Sequence, residues 1–126
     1  MQTTTPMIDA LSRYLDLSSL ELKASAQNMA NVDTPGYRTT GFDFAAEMGR
    51  CLDSLGPNAA AGQGAEAGTP QLAPVEGLLE RPDGNNVSMD REGLRMAEAQ
   101  LQFRTGVELM KREFTRVLDA VHEDQK

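Results

Sequence analysis

SMDREGLRMAEAQLQFRTGVELMKREFTRVLDAV, residues 88–121, decides the fold of this 126-residue chain. Within it Phe103, Val107, Met110, Phe114, Val117 and Val121 recur at alternating steps of four and three, with Met96 in register upstream. That spacing sets six apolar side chains on one stripe of an α-helix and gives a heptad seam about four repeats long. Ser88 is placed to cap the helix, and Asp90 and Glu92 in its first turn complement the helix dipole. Gly93, Gln100 and Gly106 weaken it, each glycine by about 1 kcal/mol relative to alanine.

A matching helix is expected at the other end of the chain, over residues 1–30. Ile8, Leu11, Leu15, Leu22 and Met29 form its stripe, with Ser18 and Ser25 as weak steps in the seam. Thr5 before Pro6 suits a cap followed by proline at the first helical position. Pro35 ends the helix near Asn31 by excluding Thr34 from the α region, and Pro35-Gly36 supplies the fixed and the permissive φ of a type II turn.

Between the helices, residues 31–55 read as the turn followed by a short extended piece around Tyr37, Phe42 and Phe44. Residues 56–83 read as a flexible linker: from Gly56 to Gly77, fourteen of twenty-two positions are Gly, Ala or Pro. The second helical stretch occupies 84–126. The fold class is therefore all-α: two long terminal amphipathic helices packing as a coiled-coil-like hairpin, with a short extended segment and a linker between them. A hairpin of this kind has a thin core, and helices from other chains would add to it.

Composition excludes most chemistry. Twelve basic against nineteen acidic residues leave a net charge of −7, which gives no bulk attraction for nucleic acid. One cysteine, Cys51, rules out an internal disulfide framework, and one histidine, His122, rules out His-rich or Cys/His-rich metal sites. A Cys51–His122 nucleophile and base would lack a third orienting group. The glycines of residues 62–68 lack the spacing and the Lys-Ser/Thr of a phosphate loop. No catalytic residue, cofactor or metal is expected. No apolar run approaches the ~18 residues needed to span a bilayer, and no cleaved signal of the ordinary type is present.

The run Asn28-Met29-Ala30-Asn31-Val32-Asp33-Thr34-Pro35-Gly36-Tyr37 is a chain of turn-forming residues. On physics alone it is a well-specified helix stop. It also resembles the N-terminal motif of the bacterial flagellar axial proteins of the rod and hook family. Phe42-Asp43-Phe44, the segment Gly84-Asn85-Asn86-Val87-Ser88-Met89-Asp90-Arg91-Glu92 and the helical Gln100-Leu101-Gln102-Phe103 extend the likeness. The chain's shortness is similar to that of the proximal rod members, and the resemblance covers about residues 8–50 and 78–121.

The resemblance implies a non-catalytic structural subunit of the basal body, located in the periplasmic rod and exported unfolded through the flagellar type III apparatus. Its partners would be other rod proteins and the junction of rod and membrane ring, in homo- and hetero-oligomeric packing, with no insertion into the membrane. Ile8, Leu11, Leu15, Leu22 and Met29 would face Phe103, Val107, Met110, Phe114, Val117 and Val121 in subunit packing. Asn28, Asn31, Asp33, Thr34, Pro35, Gly36 and Tyr37 would form the family turn, Asn31, Asp33, Pro35, Gly36 and Tyr37 shaping a surface between subunits. A small helical secretion chaperone or adaptor would share the acidic balance and both seams. It would form a discrete dimer and would not need Pro-Gly-Tyr after the first helix.

Overall fold

The computed structural model describes residues 5–56 and 68–123, so the middle of the expected linker, 57–67, and the glycines of 62–67 lie outside the described residues. Three helices and a minimal β-ribbon follow one another as α1 (Pro6–Ala30), β1 (Thr40–Gly41), α2 (Phe44–Leu55), β2 (Ala73–Pro74) and α3 (Met89–Glu123).

The caps form where the local chemistry demands them. Thr5 is extended, with φ −78° and ψ 150°, and its hydroxyl accepts the Ile8 amide at 3.3 Å, while Pro6 opens the helix. Ser88 does the same for α3, accepting the Arg91 amide at 3.4 Å. At the far end of α1, Tyr37 N–H closes a turn onto Thr34 O at 3.2 Å, and Gly36 carries the φ of +74° that the third residue of a type II turn requires.

α1 and α3 run antiparallel along each other. Asn28 meets Glu92 at 3.0 Å, Glu21 meets Arg95 at 3.1 Å, and Gly106 lies against Tyr14 and Leu15. The two long helices thus form the expected coiled-coil-like hairpin, with the short antiparallel extended segment between them. With Gly106 level with Tyr14 and Leu15, α3 runs past the start of α1 by about nine residues, some 13 Å at 1.5 Å per residue.

Residues 44–55, expected as part of an extended segment, are instead helix α2. Asp43 caps it by accepting the Ala46 amide at 3.0 Å, and its inner row is Phe44, Met48, Cys51 and Leu55. It packs on α1 through an edge-to-face contact of Phe44 with Tyr14, centroids 5.5 Å apart, and an Arg13–Glu47 ion pair. Cys51 is buried, with Arg13 and Asp9 of α1 close enough to act on its thiol.

β1 and β2 pair antiparallel, Thr40 opposite Pro74 and Gly41 opposite Ala73, and the Val75 amide extends the ladder to Thr39 O at 2.9 Å. Residues 68–83, the second half of the expected linker, are therefore tied back to the helices. α1 is buried on two flanks. Leu11, Ser18 and Ser25 form one buried row at intervals of seven and Ala10, Leu17 and Ala24 another, with Leu17 near Gly68, Thr69 and Pro70 and Ala24 near the ribbon.

Candidate functional site

The turn motif and the Gly84-Asn85-Asn86 segment, far apart in sequence, are two halves of one polar node. Its centre is Asn28, in the last turn of α1 and only 1% exposed. The Asn28 carboxamide oxygen accepts from Tyr37 Oη at 3.1 Å, Thr40 N–H at 3.1 Å and Thr40 Oγ1 at 3.4 Å. Its amide donates to Thr40 O at 2.8 Å and to Glu92 Oε2 at 3.0 Å. An amide so placed satisfies its whole donor and acceptor capacity inside the protein, which is the condition for burying it.

Asn85 does for the helix end what a cap residue does within one segment. Fully buried, it donates from Nδ2 to Asn31 O and Thr34 O, both at 2.9 Å, and its Oδ1 accepts the Val87 amide at 2.8 Å. These are carbonyls at and beyond the end of α1, where intrahelical partners run out. Asn86 continues the clasp: its Oδ1 accepts Thr39 N–H at 2.7 Å and its backbone N–H donates to Tyr37 O at 3.4 Å. The Gly36 amide donates to Asp83 O at 2.9 Å, and a Cβ added at Gly84, whose φ is +85°, would stand 3.3 Å from Gly36 Cα. The missing side chain at Gly84 permits the two backbones to touch.

Within the turn the residues divide by direction. Asn28 is buried, Asn31 and Tyr37 are half-buried, and Asp33, Thr34, Pro35 and Gly36 face outward. Asn31 is internally braced, its Nδ2 donating to Gln27 O at 2.8 Å and its Oδ1 accepting from Thr34 Oγ1 at 3.1 Å. Arg81 reaches across from the second segment to Val32 O. The motif is thus both an internal joint and a presented loop.

The helical faces are divided in a similar way. The α3 residues buried against α1 are Glu92, Ala99, Gly106 and Glu113, at strict intervals of seven. On α1, Ser18 and Ser25 are also buried. The seam inside the chain is therefore one of small and polar residues, and the close approach is tightest at Gly106, where an added Cβ would come within 2.8 Å of Leu15. Buried carboxylates are paired: Glu21 with Arg95, Glu92 with Arg91 and Asn28, Glu113 with Arg116 at 2.7 Å.

The apolar stripes flank that seam. On α1, Ile8 and Leu11 are buried, while Leu15, Leu22 and Met29 are half-buried. On α3, Val107, Met110 and Val117 are half-buried, and Phe103, Phe114 and Val121 are 41%, 50% and 55% exposed. Leu94, Leu101 and Leu118 are more open still. Hydrophobic spacing located the apolar stripe of α3. The neighbour it meets inside the chain is chosen by Ala99 and Gly106, a small-residue repeat that an apolar search passes over. Asn85, Asn86 and Glu92 stood in the sequence as an anchor segment, and their roles rest on long-range pairing that spacing does not encode.

Chemistry is not what these groups are arranged for. Burial pushes the Cys51 thiol above its ordinary range, with Arg13 partly opposing, so the nucleophilic thiolate is disfavoured. His122 lies on the exposed last turn of α3, its Nδ1 2.7 Å from Leu118 O. Among the described residues no cluster of His, Cys, Asp and Glu could hold a metal ion, and no described helix is long and apolar enough to cross a membrane.

No family profile matches the chain. It is 32% identical over 113 residues to the flagellar basal body rod protein FlgB of Escherichia coli K12, spanning 77% of this chain and 82% of that protein. The chain belongs to the FlgB family. FlgB of Borrelia hermsii is 32% identical over 107 residues, covering 75% of this chain and 79% of its own, and FlgB of Salmonella typhimurium 30% over 119 residues, covering 82% and 86%. As a FlgB-family member the chain is a structural, self-assembling subunit of the flagellar basal body rod and not an enzyme. Membership decides against the chaperone alternative. It also accounts for a site made of a joint and apolar faces.

Proposed function

We propose that this FlgB-family chain builds the proximal rod by presenting the apolar stripe of α3 to helices of neighbouring subunits, on the periplasmic side of the inner membrane. The observation that carries this reading is the exposure of Phe103, Phe114 and Val121 on a stripe whose own hairpin partner is engaged elsewhere, along Glu92, Ala99, Gly106 and Glu113. A monomer that packs its small residues inward and leaves large apolar ones outward has its unsatisfied burial on the surface, where another chain can take it up. The partners would be further copies and other rod proteins, with the membrane-ring junction at one end. On α3, Phe103, Val107, Met110, Phe114, Val117 and Val121 would line this contact, with the half-buried Leu15, Leu22 and Met29 of α1 at its edge and Ile8 and Leu11 buried within the chain. The outward residues Asp33, Thr34, Pro35 and Gly36 form a second contact. The described residues of the stretches 1–30, 31–55, 56–83 and 84–126 would enter the rod together as one subunit.

The test is complementation of a strain that lacks its own FlgB. Wild-type chain restores swimming. Phe114→Asp, at a position exposed in the monomer, leaves the subunit soluble and folded and abolishes motility, because a charge buried without a partner in a desolvated contact costs several kcal/mol. Normal swimming at normal expression of Phe114→Asp would remove α3's stripe from the subunit contact.

A further inference from the structure

We infer that the node joining the turn to the Gly84-Asn85-Asn86 segment is a cooperative latch, opening and closing as one unit apart from the α1–α3 hairpin. The turn 31–40 has little of its own to hold it. Its internal backbone bonds are Thr34 N–H to Asn31 O at 3.0 Å and Tyr37 N–H to Thr34 O, and residues 33–36 are exposed. Most of the other backbone hydrogen bonds that the turn makes come from outside it. Asn85 holds Asn31 O and Thr34 O; Asp83 O holds the Gly36 amide; Asn86 holds Tyr37 O and the Thr39 amide; Asn28 holds the Thr40 amide and carbonyl.

These bonds form a closed circuit. It runs from α1 through Asn28 to Tyr37 and Thr40, through Asn86 and Asn85 back to the end of α1, and through Glu92 into α3. The bonds are polar and mutually dependent, since each fixes the geometry the next requires, so losing one exposes the others to water together. The hairpin, by contrast, is held along α1 and α3 by contacts that do not pass through the turn. The latch sits at the root of the segment that carries β1 and α2, so its opening frees that segment at the point where it leaves the hairpin. The Asn28 and Asn85 side chains bond different partners, and the latch makes them energetically one.

Amide hydrogen exchange of the full chain, followed by NMR in low denaturant, tests this. The Gly36, Thr39, Thr40, Val75, Asn86 and Val87 amides are expected to exchange through one common opening, well before amides between Ala99 and Gly106 at the hairpin centre. Asn85→Ala should accelerate Thr40 and Val75, which it does not touch, as much as Val87, at least tenfold. Asn28→Ala should accelerate the same set, with less than twofold change between Ala99 and Gly106. Separate isotherms for the six amides in the wild-type chain would overturn the latch, whatever the variants do. So would a response confined to the bonds each altered side chain makes, or an equal rise along α3.

Discussion

Asn28 occupies the last turn of a helix, where an amide side chain ordinarily faces water, yet here it is almost wholly enclosed and fully bonded. Gly36, eight residues on, is its opposite: exposed, without a side chain, and necessary for its φ of +74°. An added Cβ at Gly36 would meet nothing within 4 Å, so Gly36→Val introduces backbone strain alone. A β-branched residue there should cost about 1–2 kcal/mol or more. We expect a lowered urea midpoint for the Gly36→Val subunit and a loss of rod assembly that exceeds any loss of export, read by the ratio of secreted to retained protein. Cys51 supplies a second prediction at this scale. Its thiol is held above the ordinary 9.0 by burial, so the folded state keeps the proton that the unfolded state gives up first. The contribution to stability is complete below pH 9 and is lost as pH rises through the raised value. Alkylation of Cys51 by iodoacetamide at pH 8 should accordingly be at least tenfold slower in the folded chain than in the same chain in urea.

Among the elements, α3 carries the sharpest test, because two of its glycines have opposite surroundings. A Cβ at Gly93 meets nothing within 4 Å, whereas one at Gly106 would press within 2.8 Å of Leu15 and 2.9 Å of Tyr14. Gly93→Ala should raise stability by about 1 kcal/mol through helix propensity. Gly106→Ala gains the same propensity and loses it to overpacking of about 1–3 kcal/mol, since the Tyr14 ring is itself held against Phe44. Thermal melts of the two variants should move in opposite directions. The same helix shows what a sequence can and cannot disclose. Its start at Ser88, the start of α1 at Thr5-Pro6 and the turn at Pro35-Gly36 are local chemistry and were legible. So was the apolar stripe from Phe103 to Val121. The choice of Ala99 and Gly106 as the inner seam was not, because periodicity ranks faces by apolarity and close packing ranks them by size. α2 was missed although Asp43 offers a cap and Phe44, Met48, Cys51 and Leu55 follow at steps of four, three and four. The Thr/Gly composition just before it argued for extended chain.

For the whole molecule, the balance lies between a small internal core and a large external apolar surface. Ile8, Leu11, Leu17, Ala24 and Ala99 are buried, while Phe103, Phe114, Leu118 and Val121 are not. A subunit built in this way gains much of its burial on meeting neighbours, so order and association are linked by mass action. Sedimentation velocity and far-UV circular dichroism over a hundredfold range of concentration should show helicity and mass rising together for the wild-type chain. Phe114→Asp should hold both near their dilute values, and a discrete dimer unchanged by that substitution would argue against the external stripe. The turn motif is legible in the sequence as a helix stop, and its residues 33–36 are exposed. Its inward half, Asn28 with Asn85 and Asn86, needed the fold, because the two segments are separated by more than forty residues.

The unequal lengths of α1 and α3 have a mechanical reading. In any lengthwise stack of such hairpins, arms of different reach place their ends at different heights, like lapped timbers rather than blocks set end to end. A twisting load then passes between subunits as shear along helix flanks, spread over several turns, instead of crossing a single weak plane. The nine or so residues by which α3 outruns α1 would make each joint a splice.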